Sequence, residues 1–245
     1  MRRALLAAVL LSCALATAAR AQAVDSLAAD VTLRELADGV WLHTTLSDSA
    51  SGSYPANGLI VRAGSQSVLI DTGWNDRQAG LLMQWADRVL AAPVRLAIAT
   101  HSHYDRTGGL AVVEANDVRI LLLDSTAVRL PASALTGQIE TFHDQRLLEL
   151  TGSDIEVFHP GPGHTPDNIV VWLPAKKILF GGCFVKDAHA KDLGNIADAD
   201  LARWPASMQR VIGRYGGAAI VVPGHGDPGG RELLAYTTKL LKKKR

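Results

Sequence analysis

The residues with the most chemistry lie in Thr100-His101-Ser102-His103-Tyr104-Asp105-Arg106, directly after the apolar run Leu96 to Ala99. His101, His103 and Asp105 are spaced by two, and on extended chain such residues project to the same side. Two imidazoles and a carboxylate converging at a strand end form a metal-binding signal. Three more positions carry ligand chemistry beside an apolar run. His164 sits in Gly-Pro-Gly-His-Thr-Pro-Asp, Cys183 in Leu-Phe-Gly-Gly-Cys, and His225 in Val-Val-Pro-Gly-His-Gly-Asp. A single catalytic zinc takes three protein ligands and keeps a position open, so six ligands suit two ions. Thiolate chemistry favours zinc over magnesium or manganese, but ligand softness alone does not divide the six between two ions.

Positioning these residues requires strands that end near one another. Short Val-, Ile- and Leu-rich runs predict strands over 39–43, 58–62, 67–71, 95–100, 118–123, 169–173, 177–180 and 219–222. Helical spacing predicts helices over 77–91, 109–115, 125–130, 201–215 and 231–242. In the helix after Arg77, Leu81, Leu82, Trp85, Val89 and Leu90 should share one face. The alternation points to an α/β chain with sheets covered by helices, and open α/β sheets place their sites at strand ends. The stretch Thr44–Asn57, full of Ser, Gly, Asp and Ala, reads as a long mobile loop.

The 245 residues are 48% hydrophobic, enough for one sizeable core, which excludes disordered and collagen-like classes. Residues 1–23 read as a secretion signal. Arg2 and Arg3 form a basic start, Leu5 to Ala18 an apolar run too short for a membrane span, and Ala21-Gln22-Ala23 a cleavage site. Residues 24–245 then form one domain, exported to the periplasm without stable membrane insertion. Cys13, within the apolar run, ranks lower as a lipoprotein acceptor. The mature chain keeps Cys183 as its one thiol, either a buried small hydrophobe or a metal thiolate. Without Arg2, Arg3 and Arg20 the formal balance is 22 basic to 24 acidic residues, and the tail Lys242 to Arg245 is a solvated end. No nucleic-acid partner is expected, and a monomer is.

His101-x-His103-x-Asp105 followed by His164, Cys183 and His225 resembles the metallo-β-lactamase superfamily. Cys183 and Arg106 resemble, more narrowly, the first subclass of class B β-lactamases. Tyr54-Pro55-Ala56-Asn57-Gly58-Leu59-Ile60-Val61-Arg62, Asp71-Thr72-Gly73-Trp74 and Gly194-Asn195-Ile196-Ala197-Asp198-Ala199-Asp200 extend the resemblance over most of the chain. It implies an αββα sandwich, two β-sheets flanked by helices, with the zinc site at one edge. It also implies two Zn2+ per chain, the first held by His101, His103 and His164, the second by Asp105, Cys183 and His225. The implied activity is hydrolysis of the β-lactam amide of penicillins, cephalosporins and carbapenems by a zinc-bound hydroxide, giving antibiotic resistance.

By the same resemblance Lys186 grips the substrate carboxylate, Asn195 donates to the developing oxyanion, and Asp105 orients the nucleophile. Arg106 and Asp71 stand behind the ligands, and Trp74 and Tyr54 wall the pocket. The Thr44–Asn57 stretch implies a weak grip on bulky apolar substituents. His43, His143, His159 and His189 match no ligand position and read as structural or solvent-facing, with His189 near the rim. The Ser-x-x-Lys motif of serine β-lactamases is absent. A glyoxalase-II-like thioesterase usually has His where Arg106 stands and Asp where Cys183 stands. A non-catalytic zinc-binding protein would not need Lys186 and Asn195.

Overall fold

The computed structural model describes residues 24–48, 52–131 and 137–244. The elements run β1 (Val24–Ala28), β2 (Val31–Ala37), β3 (Val40–Leu46), β4 (Pro55–Ala63), β5 (Gln66–Ile70), α1 (Asp76–Arg88), β6 (Val94–Ile98), α2 (Tyr104–Thr107), α3 (Leu110–Ala115), β7 (Arg119–Leu123) and α4 (Asp124–Ala127). They continue with β8 (Ile139–Phe142), β9 (Gln145–Leu148), β10 (Ile155–Phe158), β11 (Val170–Leu173), β12 (Ile178–Gly182), α5 (Trp204–Tyr215), β13 (Ile220–Pro223) and α6 (Glu232–Lys243). The first eight strands form one sheet in sequence order, and the second sheet has the order β13-β12-β11-β10-β9.

Alternation along the strands builds three apolar layers. Val68 and Ile70 of β5, Leu121 and Leu123 of β7, Val171 of β11 and Phe180 of β12 meet between the sheets. Their neighbours point the other way. Leu69, Ala97 and Ile120 pack under Leu82 and Trp85 of α1 and Val113 of α3. Val170, Leu179 and Val221 pack under Trp204, Met208 and Val211 of α5 and Leu234 and Leu241 of α6. Both faces of each central strand are therefore buried, which is why these strands read as continuous apolar runs. The result is helix, sheet, sheet, helix, the αββα order that the resemblance implies.

Five strands are not legible from apolar runs. β1 has no buried position, β2 alternates buried and half-buried positions before becoming more open, and β8, β9 and β10 are four residues each. Thr44–Asn57 is not one loop. Thr44, Thr45 and Leu46 finish β3, while Pro55, Ala56 and Asn57 begin β4, paired Thr44↔Asn57 to Leu46↔Pro55. Leu46 ends that strand, and residues 47–48 and 52–54 lie outside both strands. Helix α1 begins where the Asn75 side chain accepts the Gln78 N–H at 2.9 Å, and it ends at Arg88. Gln78, Ala79, Leu82, Trp85 and Ala86 form its buried face, whereas Val89, expected on that face, is past the helix end and exposed.

Pairing direction sets the site. β5–β6 and β12–β13 are parallel, so the carboxyl ends of β5, β6, β12 and β13 emerge at one edge. β11 runs antiparallel to β12, which brings its start to that same edge. Gly109, opening α3, lets α1 close over this region, because a Cβ there would lie 2.3 Å from the Ala79 Cβ. Gly109→Ala is expected to destabilise the chain by about 1–3 kcal/mol through overpacking. Urea denaturation checks it, and an unchanged midpoint would remove this account of the α1–α3 contact.

Candidate metal centre

Four of the six candidate ligands flank a core strand. His101 follows β6, His164 precedes β11, Cys183 follows β12 and His225 follows β13. His103 and Asp105 do not lie on extended chain, as their spacing suggested. His103 caps α2 and Asp105 sits in its first turn, so a bend brings them back to His101. Ring centroids of His101, His103 and His164 are 4.6–5.1 Å apart, with the planes 73–87° to one another. On the other side, Cys183 Sγ lies 3.2 Å from His225 Nε2 and 3.7 Å from Asp105 Oδ2.

Three sets have all their ligand atoms within 4.8 Å of one another: His101, His103 and Asp105; His101, His164 and Cys183; and Asp105, Cys183 and His225. The last is one triad of the resemblance. His101 is shared between the other two sets, so distance alone permits more than one division. Chemistry favours a cation here. His101 Nε2 and His164 Nδ1 are buried without a hydrogen-bond partner, and a buried unpaired polar atom costs about 1–3 kcal/mol. Histidine nitrogen, carboxylate and thiolate together suit zinc.

Arg106 organises the cluster from beneath. It is fully buried behind the candidate ligands. Its guanidinium reaches Asp105 Oδ2 at 2.7 Å, Asp71 Oδ2 at 3.2 Å, Cys183 Sγ at 3.0 Å and His225 Nε2 at 3.2 Å. It also donates to the carbonyl oxygens of Asn57 at 2.5 Å and Gly224 at 2.9 Å. Burial pushes the Cys183 thiol up, but Arg106, His225 and His164 outweigh it and hold the thiol well below its ordinary range. Burial likewise raises the Asp105 carboxyl, and Arg106, His225 and His101 together more than reverse it. Both groups are thus held in the charged forms that bind a cation.

Asp71 accepts the Thr100 N–H at 2.7 Å and the Thr100 hydroxyl at 2.9 Å, besides facing Arg106. His103 Nε2 lies 2.9 Å from Asp198 Oδ2, a partner that the sequence reading did not single out. A carboxylate there fixes the ring so that Nδ1 faces the cluster. Asp167, also not singled out, accepts the Ser102 N–H at 2.9 Å and ties the His164 loop to the His101–His103 loop.

A cleft of about 690 Å³ opens above the cluster, lined in part by Tyr54, Trp74, Tyr104, Lys186 and Asn195. That is within the range of small-molecule sites. Lys186 is buried, not solvated, with Nζ 5.7 Å over the Trp204 ring, and burial lowers its pKa. Asn195 Oδ1 accepts the Ala197 N–H at 3.0 Å, which leaves the side-chain amide N–H groups for the cleft. Of the histidines without a ligand role, His43 is buried, His143 is exposed and His159 meets the Asn168 carbonyl at 2.8 Å. His189 is exposed and does not line the cleft.

Fold and cluster define a metalloprotein whose cation site sits at the edge of a two-sheet sandwich, at the floor of a substrate-sized cleft. The chain belongs to the metallo-β-lactamase superfamily, whose family model matches residues 52–225. It is 39% identical over 215 residues to a metallo-β-lactamase type 2 of Bacillus cereus, covering 86% of this chain and 83% of that one. It is 36% identical over 234 residues to the type 2 enzyme of Bacteroides fragilis, covering 95% and 94%. The solved metallo-β-lactamase of Pontibacter korlensis superposes with a TM-score of 0.81 at 40% identity, over 86% of this chain and 99% of that one.

Arg106→Lys removes the fork that serves three anionic or thiol partners and two carbonyls at once. It is expected to cost about 3–5 kcal/mol, because Asp71 and Asp105 stay buried with incomplete partners. Chemical denaturation of the zinc-free protein measures this, and a loss below about 1 kcal/mol would mean that the hub is dispensable.

Proposed function

We propose that this chain is a zinc-dependent hydrolase of the β-lactam amide bond, acting on penicillins, cephalosporins and carbapenems and so conferring antibiotic resistance. The observation that carries this reading is the convergence of six ligand side chains, two with unpartnered imidazole nitrogens, at the floor of the cleft. The superfamily relatives named above support it. In this reading His101, His103 and His164 hold one zinc, and Asp105, Cys183 and His225 a second. Zinc, when bound, supplies an acidified water as nucleophile near neutral pH and a Lewis acid for the carbonyl.

The chain's own residues do the rest. Lys186 Nζ binds the substrate carboxylate and fixes the ring over the cluster. The Asn195 side-chain amide donates to the carbonyl oxygen as negative charge develops there, its own oxygen being held by Ala197. The Asp105 carboxylate, held ionised by Arg106, His225 and His101 together, accepts a proton from the attacking water and passes it to the amide nitrogen as the C–N bond breaks. Trp74 and Tyr54 wall the cleft and exclude water from one side. Arg106 and Asp71 keep Asp105 and Cys183 in place.

Residues 1–23 lie outside the described residues, and Cys13 with them. We read them as a cleaved secretion signal that sends one domain, residues 24–245, to the periplasm as a monomer. Among the described residues no helix is long and apolar enough to cross a membrane. Cys183 and Arg106 favour this reading over a glyoxalase-II-like thioesterase, and Lys186 and Asn195 favour it over a non-catalytic zinc protein.

Hydrolysis of a chromogenic cephalosporin should stop with a chelator and return with zinc. Cys183→Ser should weaken one of two zinc equivalents by about two orders of magnitude, as native mass spectrometry and chelator competition would read. A fully loaded, fully active serine variant contradicts the ligand assignment. Lys186→Ala should raise KM about tenfold or more with kcat little changed, because the carboxylate contact exists before the reaction begins. A fall in kcat alone would contradict that role.

A further inference from the structure

His43 is a fully buried ionisable group that the reaction just described leaves unused. It stands on β3 opposite Gly58 on β4. A Cβ on Gly58 would lie 2.1 Å from His43 Nε2, so the missing side chain is the space that the ring occupies. The ring crosses β4 and reaches the end of β5. There Nε2 lies 3.2 Å from the Ile70 carbonyl oxygen and 3.0 Å from that of Asp71. Both partners are acceptors, so Nε2 carries the proton and donates to both. The β4–β5 ladder has its last pair at Leu59↔Ile70, and the imidazole takes over as donor where the ladder stops.

The position it holds is unusual. Asp71 has φ +60°, a left-handed conformation that is unfavourable for a non-glycine residue and persists only where its surroundings fix it. This turn sends the Asp71 carboxylate onto Thr100, next to His101, and onto Arg106. Arg106 in turn meets Asp105, Cys183 and His225. One continuous set of contacts thus runs from His43 to the ligand cluster, and His43 itself touches none of the ligands.

We propose that His43 is a positioning residue for the zinc cluster: its Nε2–H locks the left-handed backbone of Asp71 and thereby aims the carboxylate that seats Arg106 and Thr100. This rests on the reading of the cluster as a zinc site.

The full chain tests it. Imidazole nitrogen chemical shifts should show His43 neutral and in the Nε2–H form between pH 6 and 8. A charged ring, or the Nδ1–H form, overturns the proposal. His43→Phe should keep its far-ultraviolet circular dichroism and a cooperative melt, yet bind zinc at least about tenfold more weakly in chelator competition. His43→Gln, which restores an N–H donor, should recover most of that loss. A phenylalanine variant with wild-type zinc affinity, or a glutamine variant no better than it, overturns the proposal. Should His43→Phe fail to fold, the nitrogen shifts and the glutamine variant decide it: zinc affinity near wild type supports it, and a loss of tenfold or more overturns it. If the unmodified chain binds no zinc, the functional reading fails first and this proposal with it. If that chain binds zinc and hydrolyses β-lactams while both variants match it, only the His43 proposal fails.

Discussion

One buried guanidinium governs the arrangement. An isolated charge between two apolar sheets would be prohibitively costly, so Arg106 has to be surrounded by acceptors. Those acceptors come from four separate stretches: Asp71 after β5, Asn57 on β4, Cys183 after β12, and Gly224 after β13. Satisfying one side chain therefore pins both sheets together at the edge where the candidate ligands emerge. The same positive charge, with His225 beside it, favours the ionised forms of Asp105 and Cys183, which suit a cation. Structural satisfaction and metal readiness are one requirement here.

The sandwich supplies rigidity for that arrangement. Each ligand-bearing segment starts within a residue or a few of a strand buried on both faces, so its backbone has little room to move. The contacts between these segments are largely backbone-directed. Asn57 N–H donates to the Gly224 carbonyl, Gly224 N–H to that of Gly182, and Ile169 N–H to that of Thr100. Asn57 also donates its side-chain amide to the carbonyls of Pro223 and Gly226, on either side of His225. The Asn57 and Ile169 links join the two sheets where no strand pairing does, and the Gly224–Gly182 link extends the β12–β13 pairing.

The six candidate ligands stand out in the sequence because their chemistry is rare and each lies near an apolar run, and the structure brings them together at one edge. The central strands were legible for the same reason, being buried on both faces. β1, β2 and β8 to β10 were not, because edge and short strands alternate or lack apolar residues. The Thr44–Asn57 stretch was misread because small polar residues at strand ends look like loop when their pairing partners are out of view. Val89 was placed on the wrong side of a helix end, which periodicity alone does not locate. Arg106 was expected behind the ligands, but most of its partners are distant in sequence. Asp198, Asp167 and His43 gave no local signal, since each matters only through a contact made across the fold.

The Asn57 side chain that bridges to Pro223 and Gly226 spans more than 160 positions of the chain. His225, held between those two carbonyls, is the last of the six to leave the ribosome, and β13 must slide in beside β12 to seat it. Closure of the site is consequently a late event in the life of each molecule. The full set of six side chains is therefore available to a cation only after that last segment has been made and seated.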